Sequence, residues 1–163
     1  MAAAVRPAVA TDLDAVLRLQ HACHGSELLD SAACLASVLG RGASFLAVSA
    51  GEAVGYLLMH EGREAQLGGV LPPLEEDSRE QPCLFLHDLC VASAVRGAGV
   101  AHQLVDAALQ QAAERECSEV HLVALPGTQA FWARFGFEQQ SDDGFTDAAS
   151  YGTGATHMSR RLH

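Results

Sequence analysis

The alternation of apolar and polar residues along the chain predicts short strands and amphipathic helices in mixed order. Residues 5–9 form a first short strand in this interpretation. Apolar positions from Leu13 to Leu19 then recur at the three- and four-residue spacing of a helix, with Thr11 as its N-cap. A second short helix is predicted over residues 31–39, ending near Gly40.

The middle of the chain predicts a hairpin followed by a buried strand. Strands over residues 44–49 and 53–60 are joined by a turn in which Gly51 supplies the backbone conformation. Residues 62–82 hold three prolines and an acidic run, and a loop of this length inside a compact domain is typically functional or mobile. Residues 83–91 are apolar apart from two polar positions, which indicates a central strand.

The rest of the chain alternates helices with strands. The predicted segments are a helix from about 99 to 116, a strand at 119–125, a short helix at 128–135 stopped by Gly136, and strands at 137–140 and 155–162. Hairpin and crossover connections both occur in this order, and no internal repeat or linker divides the chain. The pattern therefore predicts one mixed α/β domain spanning residues 1–163.

Composition and charge exclude several classes of protein. Of the 163 residues, 49% are hydrophobic, which excludes a disordered chain, and no apolar run approaches the roughly 20 residues that span a bilayer. The first residues lack the features of a secretory signal, so we expect a cytoplasmic protein without a membrane partner. The net charge of −10 disfavours a nucleic acid partner; it suits a cationic substrate such as an amine, or serves solubility alone.

The cysteine pattern argues against a disulfide framework and against a zinc ribbon. The count is odd and no C-x-x-C occurs, so most of the five are expected to be small core residues or inert thiols: Cys23, Cys34, Cys83, Cys90 and Cys117. His21 and His24 stand three residues apart, but no third ligand lies at a recognised spacing, and we expect no metal.

A glycine-containing loop between the central strand and the next helix is the main candidate for ligand binding. It reads Arg96-Gly97-Ala98-Gly99-Val100-Ala101. Small residues let the backbone approach a ligand, and the unpaired N–H groups at a helix start favour an anion such as pyrophosphate. Arg96 adds a cation. The loop fits neither a Walker A motif nor a dinucleotide fingerprint, and a tight turn without a ligand is the alternative interpretation.

Two motifs at matching separation resemble the GNAT N-acetyltransferase superfamily. Arg96-x-x-Gly99-x-Ala101 fits its acetyl-CoA signature Q/R-x-x-G-x-G/A, and the segment from Phe131 to Phe137 fits its later F-Y-x-x-x-G-F motif. The resemblance covers nearly the whole chain, including the first and last strands. It implies the GNAT fold, a splayed, mixed, mostly antiparallel sheet flanked by helices, with acetyl-CoA as co-substrate.

The resemblance also implies which residues hold the cofactor. The acetyl-pantetheine arm should lie in the gap between the fourth and fifth strands, on the backbone of Leu89, Cys90 and Val91. The backbone amides from Gly97 to His102 should hold the pyrophosphate. The usual tyrosine, the acid for the departing thiolate, is replaced by Trp132, which should pack against the cofactor or the core.

Acetyl transfer to an amine needs a base, because an alkylamine with a pKa near 10.4 is mostly protonated at neutral pH. His87 is the first candidate, since histidine titrates near the working pH. Strand alternation predicts that His87 shares a face with Leu89 and Val91 and that Asp88, the second candidate, points to the opposite face. A structural histidine satisfied inside the sheet is the alternative role for His87.

A narrower resemblance concerns the acceptor. The segment Leu86 to Val91 is similar to the L-H-x-L-A-V segment of arylalkylamine N-acetyltransferases, whose histidine serves in proton removal; similar runs occur in uncharacterised bacterial relatives. Indole N–H is not a usable acid at neutral pH, so either the thiolate leaves unassisted or another group serves, and Tyr151 is the candidate. Acidic side chains that could attract a cation are Glu27, Asp30 and residues 75–77.

The sequence therefore predicts an acetyl-CoA-dependent N-acetyltransferase that acts on a primary amine, and a small amine of the arylalkylamine or polyamine type is the favoured acceptor. Direct attack in a ternary complex is the expected route. Acetylation of protein lysines or N-termini is an alternative of the same reaction class. A non-catalytic CoA-binding module is the alternative of a different class, favoured by Trp132. Superfamily members are often dimers, so the resemblance is compatible with a homodimer, although the sequence itself does not fix the oligomeric state.

Overall fold

A computed structural model describes residues 2–24, 29–62, 83–140 and 154–162 of the chain. The strands are β1 (Ala4–Pro7), β2 (Phe45–Ser49), β3 (Glu52–Glu61), β4 (Cys83–Val91), β5 (Glu119–Ala124), β6 (Glu138–Gln139) and β7 (Thr156–Arg161). The helices are α1 (Leu13–Cys23), α2 (Ala32–Leu39), α3 (Val100–Glu114) and α4 (Gln129–Ala133). None of these helices is both long and apolar enough to cross a membrane.

The strands form one sheet in the order β1-β2-β3-β4-β5-β7-β6. Its neighbours are antiparallel, except that β4 and β5 run parallel and are joined by the crossover that contains α3. One face packs against α1 and α2, and the other face packs against α3 and α4. This arrangement confirms the mixed, mostly antiparallel sheet flanked by helices that the sequence predicts.

The starts of the first two helices differ in how well the sequence predicts them. The second helix begins one residue later than predicted, and Ser31 is its N-cap, because its Oγ accepts a hydrogen bond from the backbone N–H of Cys34 at 3.1 Å. Thr11 does not cap α1, which begins at Leu13 after a short 3-10 turn. The Asp12 carboxylate stabilises the turn before this helix instead, because it accepts hydrogen bonds from the Val9 N–H at 2.8 Å and from the Arg6 guanidinium.

A bulge in β4 changes the direction of the side chains at its centre. Leu58 of β3 pairs with Asp88, but the next residue, Met59, pairs with Leu86, so His87 has no partner on β3. The extra residue interrupts the alternation of faces. His87 and Asp88 therefore both point toward α1 and α2, where they contact residues at the ends of those helices.

The predicted faces of these two residues are thus wrong in one respect. The sequence places His87 with Leu89 and Val91, whereas those two side chains pack on the α3 side of the sheet. Cys90, two residues after Asp88, belongs to the core on the α1 and α2 side. The physical reason is the bulge, because one inserted residue shifts every later side chain of a strand to the other face.

The parallel strands β4 and β5 separate partway along their length. They pair only from Cys83 with Glu119 to Leu86 with Leu122. Beyond this point β4 continues to Val91 while β5 ends at Ala124, and no described strand pairs with that side of β4. The separation produces a wedge-shaped opening at the carboxyl ends of the two strands.

A disulfide between Cys23 and Cys90 joins the end of α1 to β4. This corrects the expectation that the cysteines would be inert thiols or core residues, which does hold for Cys34 and Cys117, both free and buried. The side chain of Cys83 lies outside the described residues. The two bonded residues are 67 positions apart, so an odd count and unremarkable spacing gave no sign that the fold would bring them together.

We expect the variant Cys23→Ala to lose up to about 4 kcal/mol of unfolding free energy, because a bridge that closes a long loop restricts the unfolded chain. Urea unfolding with and without dithiothreitol measures the effect. Reductant should lower the wild-type midpoint toward that of the variant and leave the variant itself unchanged. An identical wild-type midpoint in both conditions would contradict a stabilising disulfide.

Candidate active site

A cavity lies in the opening between β4 and β5. One part of its wall is apolar and comes from both strands and from α4, with Leu86, Leu89, Leu122, Val123, Leu125, Phe131 and Trp132. The other part is polar and carries His24, Asp30, His87, Asp88 and Thr128. Apolar walls with a few convergent polar groups are typical of small-molecule sites.

His87 and Asp30 form a buried pair in this cavity. The His87 Nε2 lies 2.8 Å from an Asp30 carboxylate oxygen, and the two side chains are only 1% and 3% exposed. Burial acts to lower the pKa of His87, but the hydrogen bond to Asp30, with smaller contributions from Cys34 and Asp88, raises it to about 10. The imidazole therefore carries two protons at neutral pH, and its Nε2–H donates to Asp30.

Gln20 fixes the backbone of Asp30 from the buried face of α1. Its side-chain oxygen accepts from the Asp30 N–H at 2.9 Å, and its amide nitrogen donates to the Asp30 carbonyl at 3.2 Å. Gln20 is 1% exposed, so this pair of hydrogen bonds is shielded from water. Gln20 is not among the site residues that the sequence predicts, although a glutamine on the apolar side of an amphipathic helix is a detectable exception.

A second histidine–carboxylate pair lies beside the first. The His24 Nε2 contacts the two Asp88 oxygens at 2.9 and 3.1 Å, and the Tyr56 hydroxyl donates to Asp88 at 2.6 Å. The hydrogen bond to Asp88 raises the pKa of His24 above its usual range. Burial, followed by the charge of Asp88, raises the pKa of Tyr56, so this phenol stays protonated. Asp88 is therefore held from two sides.

The predicted thioester-binding stretch of β4 borders the cavity. Leu89 lines it directly, and the stretch from Leu89 to Val91 is hydrogen-bonded to β3 on one side, without β5 on the other. Cys90 is buried on the opposite face in its disulfide, so only its backbone is open to a role in binding. The Val91 carbonyl accepts a hydrogen bond from the Arg96 Nε at 3.2 Å, which ties the strand end to the following loop.

The glycine loop leads directly into the start of α3. Gly97 and Gly99 have φ angles of 86° and 82°, which favour glycine, and Gly99 is the N-cap of the helix. No side chain caps this end, and the first turn contains no acidic residue. The N–H groups of the next three residues, Val100 to His102, therefore have no partner within the helix. Arg96 and residues 97–99 are exposed, as an anion site requires.

The remaining predicted site residues divide into two groups. Trp132 is 7% exposed; it packs against Phe131 and Phe137 in the core and also lines the cavity. Asp30 lies in the site as the partner of His87. The candidates Glu27, residues 75–77 and Tyr151 lie outside the described residues.

Cys34 brings a thiol close to the buried pair. Ligand-type atoms of Asp30, Cys34 and His87 lie within 4.8 Å of one another, a spacing that could also accommodate a metal ion. The 2.8 Å contact between His87 Nε2 and the Asp30 carboxylate has the length of a hydrogen bond. One proton between these two atoms already satisfies the nitrogen and the oxygen. We therefore interpret His87 and Asp30 as a hydrogen-bonded pair that holds a proton.

The fold is shared with several solved proteins, some of them solved with CoA or an acyl-CoA. Rv2747 from Mycobacterium tuberculosis, solved with CoA, is 21% identical with a TM-score of 0.71 over 98% of this chain and 99% of that one. The ribosomal-protein-S18-alanine N-acetyltransferase from Escherichia coli is 15% identical, with a TM-score of 0.73 over 98% and 94%. The GNAT-like decarboxylase GphF, solved with isobutyryl-CoA, is 18% identical, with a TM-score of 0.73 over 98% and 100%.

These likenesses establish the fold, and the family follows from the sequence itself. No curated protein sequence matches the chain significantly. The model of the acetyltransferase (GNAT) family matches residues 13–137, which include the glycine loop, both histidine–carboxylate pairs and α4. The chain belongs to the acetyltransferase (GNAT) family.

Proposed function

We propose that this acetyltransferase moves the acetyl group of acetyl-CoA to a small primary amine by direct attack in a ternary complex. One observation carries the proposal: the cavity between β4 and β5 combines an apolar wall with two histidine–carboxylate pairs beside the unpaired side of β4. An acyl thioester and an amine could meet there, with groups at hand to remove protons.

The cofactor assignment rests on the glycine loop and on the open side of β4. Pyrophosphate would bind the N–H groups of residues 97–102 at the uncapped start of α3, with Arg96 as a nearby cation. The pantetheine arm would then follow the backbone of Leu89, Cys90 and Val91. Rv2747 and GphF, which share the fold, are each solved with CoA or an acyl-CoA, and this supports the assignment.

His87 is the proposed general base on the acceptor nitrogen. As the nitrogen attacks the thioester carbon, the C–N bond forms, the C–S bond breaks, and a proton leaves the nitrogen for the imidazole. Because Asp30 raises the pKa of His87 to about 10, only the small neutral fraction of His87 accepts that proton near neutral pH. Asp88 stays the second candidate for this role, and its contact with His24 gives it a proton partner.

The departing thiolate needs little assistance. A thiol has a pKa of about 8.5, so the thiolate is a stable leaving group near neutral pH. Trp132 stands at the position of the family's usual acid, and an indole N–H is not a usable acid at neutral pH. Tyr151 remains a candidate acid, and Tyr151→Phe would test it by comparing the rates of thiol release.

The lining of the cavity favours an acceptor with an apolar body. Phe131, Trp132 and Leu125 offer aromatic and aliphatic surface, and the carboxylates of Asp30 and Asp88 also belong to the wall. Both carboxylates are balanced by histidines whose pKa values are raised. The described part of the wall therefore offers no unbalanced negative charge for a second ammonium group, and the cavity suits a monoamine of the arylalkylamine type better than a polyamine.

A protein acceptor is the second candidate. The Escherichia coli enzyme with this fold is named for an alanine of ribosomal protein S18, and the NatC complex, 16% identical with a TM-score of 0.75, is solved with a peptide and CoA. These proteins support a peptide as an acceptor that the fold can accommodate. Peptides therefore belong in any test of the acceptor.

A panel of acceptors incubated with acetyl-CoA tests the proposal. We expect thiol release to be fastest with arylalkylamines, slower with polyamines, and weakest with peptides that carry a free N-terminus or lysine. Mass spectrometry of the product should show one added acetyl group. Fast release with peptides alone would replace the small amine by a protein acceptor, and release with none of them would refute acetyl transfer to amines.

A further inference from the structure

The two histidine–carboxylate pairs differ in their access to water. The side chains of His87 and Asp30 are 1% and 3% exposed, whereas those of His24 and Asp88 are 12% and 16% exposed. His87 is enclosed between the sheet and α2, while His24 is the residue directly after the end of α1. Of the two pairs, therefore, the His24–Asp88 pair is the one whose side chains contact both the cavity and solvent.

Acetyl transfer from a protonated amine requires two deprotonations of the same nitrogen. The bound ammonium loses one proton to become a nucleophile, and the nitrogen loses another as the C–N bond forms. One proton ends on the thiolate sulfur, and the other must reach water. A single enclosed base cannot receive both in one turnover, whereas a pair at the rim of the cavity can release its proton to solvent.

The geometry of the His24 pair resembles that of an oriented base. Nε2 of His24 is held by both oxygens of Asp88, and Asp88 is fixed on its far side by the hydroxyl of the fully buried Tyr56. This leaves Nδ1 of His24 without a hydrogen-bond partner within the part of the chain that the structure describes. A carboxylate that fixes one ring nitrogen while the other exchanges a proton is the arrangement used by many catalytic histidines.

We propose that His24 is a further catalytic residue, which takes the first proton from the acceptor's ammonium group at Nδ1 and releases it to water. Asp88 and Tyr56 act as positioning residues that orient the ring. His87, with Asp30, is left to receive the second proton during attack. This inference rests on the proposed function, because it divides the proton removal of that reaction between two sites.

The test compares acceptors that do and do not need the first deprotonation. The variant His24→Gln keeps an N–H donor for Asp88 but cannot accept a proton. For an alkylamine that is protonated at the assay pH, we expect kcat/KM to fall about a hundredfold, the scale of general base catalysis. For a fluorinated alkylamine that is already neutral at that pH, the loss should be less than about threefold.

Two controls separate proton transfer from structure. His21→Gln changes an exposed histidine on the same helix and should leave both rates unchanged. His87→Gln should slow both acceptors alike, because each must still lose a proton during attack. Added imidazole should restore part of the alkylamine rate of a His24→Ala variant. Acetyl-CoA affinity should match the wild type in each His24 variant, which shows that the cofactor site is intact.

The outcomes distinguish this inference from the proposed function. Equal losses with both acceptors in His24→Gln, or no loss with the alkylamine, would overturn the role of His24 while acetyl transfer by the wild type stands. A His24→Ala variant that imidazole does not accelerate would overturn it as well. If the wild-type protein transfers no acetyl group to any amine, the proposed function falls first and the inference falls with it.

Discussion

Replacing Asp30 by asparagine is expected to lower the pH at which acetyl transfer becomes half-maximal by about three units or more. In the wild-type protein, Asp30 contacts the His87 Nε2 at 2.8 Å and is the main cause of a pKa of about 10. Asparagine keeps the shape of the side chain and removes its charge. Burial, which lowers the pKa of a histidine, would then dominate at His87.

The pH profile of kcat/KM measures this change. With a pKa of about 10, about one His87 in a thousand is neutral at pH 7, and the wild-type rate should rise about tenfold for each pH unit up to pH 10. In Asp30→Asn, nearly every His87 is neutral at pH 7, so its profile should be flat above that pH. A wild-type profile that is already flat between pH 7 and 9 would contradict the role of His87 as base.

The unfolding free energy gives a second measurement that does not depend on activity. The pKa of His87 is raised above its unfolded value of about 6.5, so the native state holds one extra proton between that pH and pH 10. The stabilisation is complete below about pH 6.5 and is lost as the pH rises through 10. Wild-type stability should therefore fall by as much as about 1.4 kcal/mol per pH unit across this window.

The same slope should be absent in Asp30→Asn, and the difference between the two proteins isolates His87 from other titrating groups. His60, whose ring lies 6.2 Å from that of His87, does not contribute in this range, because burial lowers its pKa to about 4. The matched control Asp14→Asn removes a carboxylate from the exposed side of α1 and should retain the wild-type slope. Parallel slopes for all three proteins would show that Asp30 does not hold the proton on His87.

Local signals in the sequence predict most of the fold. The central strand over 83–91 is correct at both ends, and the helix after the glycine loop begins one residue later than predicted, at Val100. Apolar periodicity, the helix end at Gly40 and the glycine loop are short-range features, and each depends on a few adjacent residues. Elements that are fixed by such features can be located without knowledge of their neighbours.

The site depends on contacts between residues far apart in the chain, and these were only partly predictable. His87, Asp88 and the glycine loop were identified as candidates, yet the partners Asp30 and His24 lie 57 and 64 residues before them. The sequence indicates Asp30 only as an acidic side chain that could attract a cation. Strand periodicity cannot show a bulge, because the extra residue is defined by its pairing with β3 and not by its own neighbours.

The variant Gly99→Glu is expected to weaken acetyl-CoA binding at least a hundredfold. Gly99 has a φ of 82° at the uncapped start of α3, with open space where a Cβ would stand. A glutamate there would place a negative charge where the pyrophosphate is proposed to bind, and would remove the electrostatic attraction of the helix start. Calorimetric titration with acetyl-CoA measures the loss directly, without any acceptor.

Gly42→Glu provides the matched control for this prediction. Gly42 has a φ of 73° and equally open surroundings, so a glutamate at this position introduces the same backbone strain and the same added charge. It lies at the other end of α3, where its carbonyl accepts from Arg115, about 20 Å along the helix from Gly99. Both variants should lose a similar unfolding free energy of about 1–2 kcal/mol. Only Gly99→Glu should lose affinity for acetyl-CoA. Equal affinities in the two variants would contradict the proposal that this loop binds the pyrophosphate.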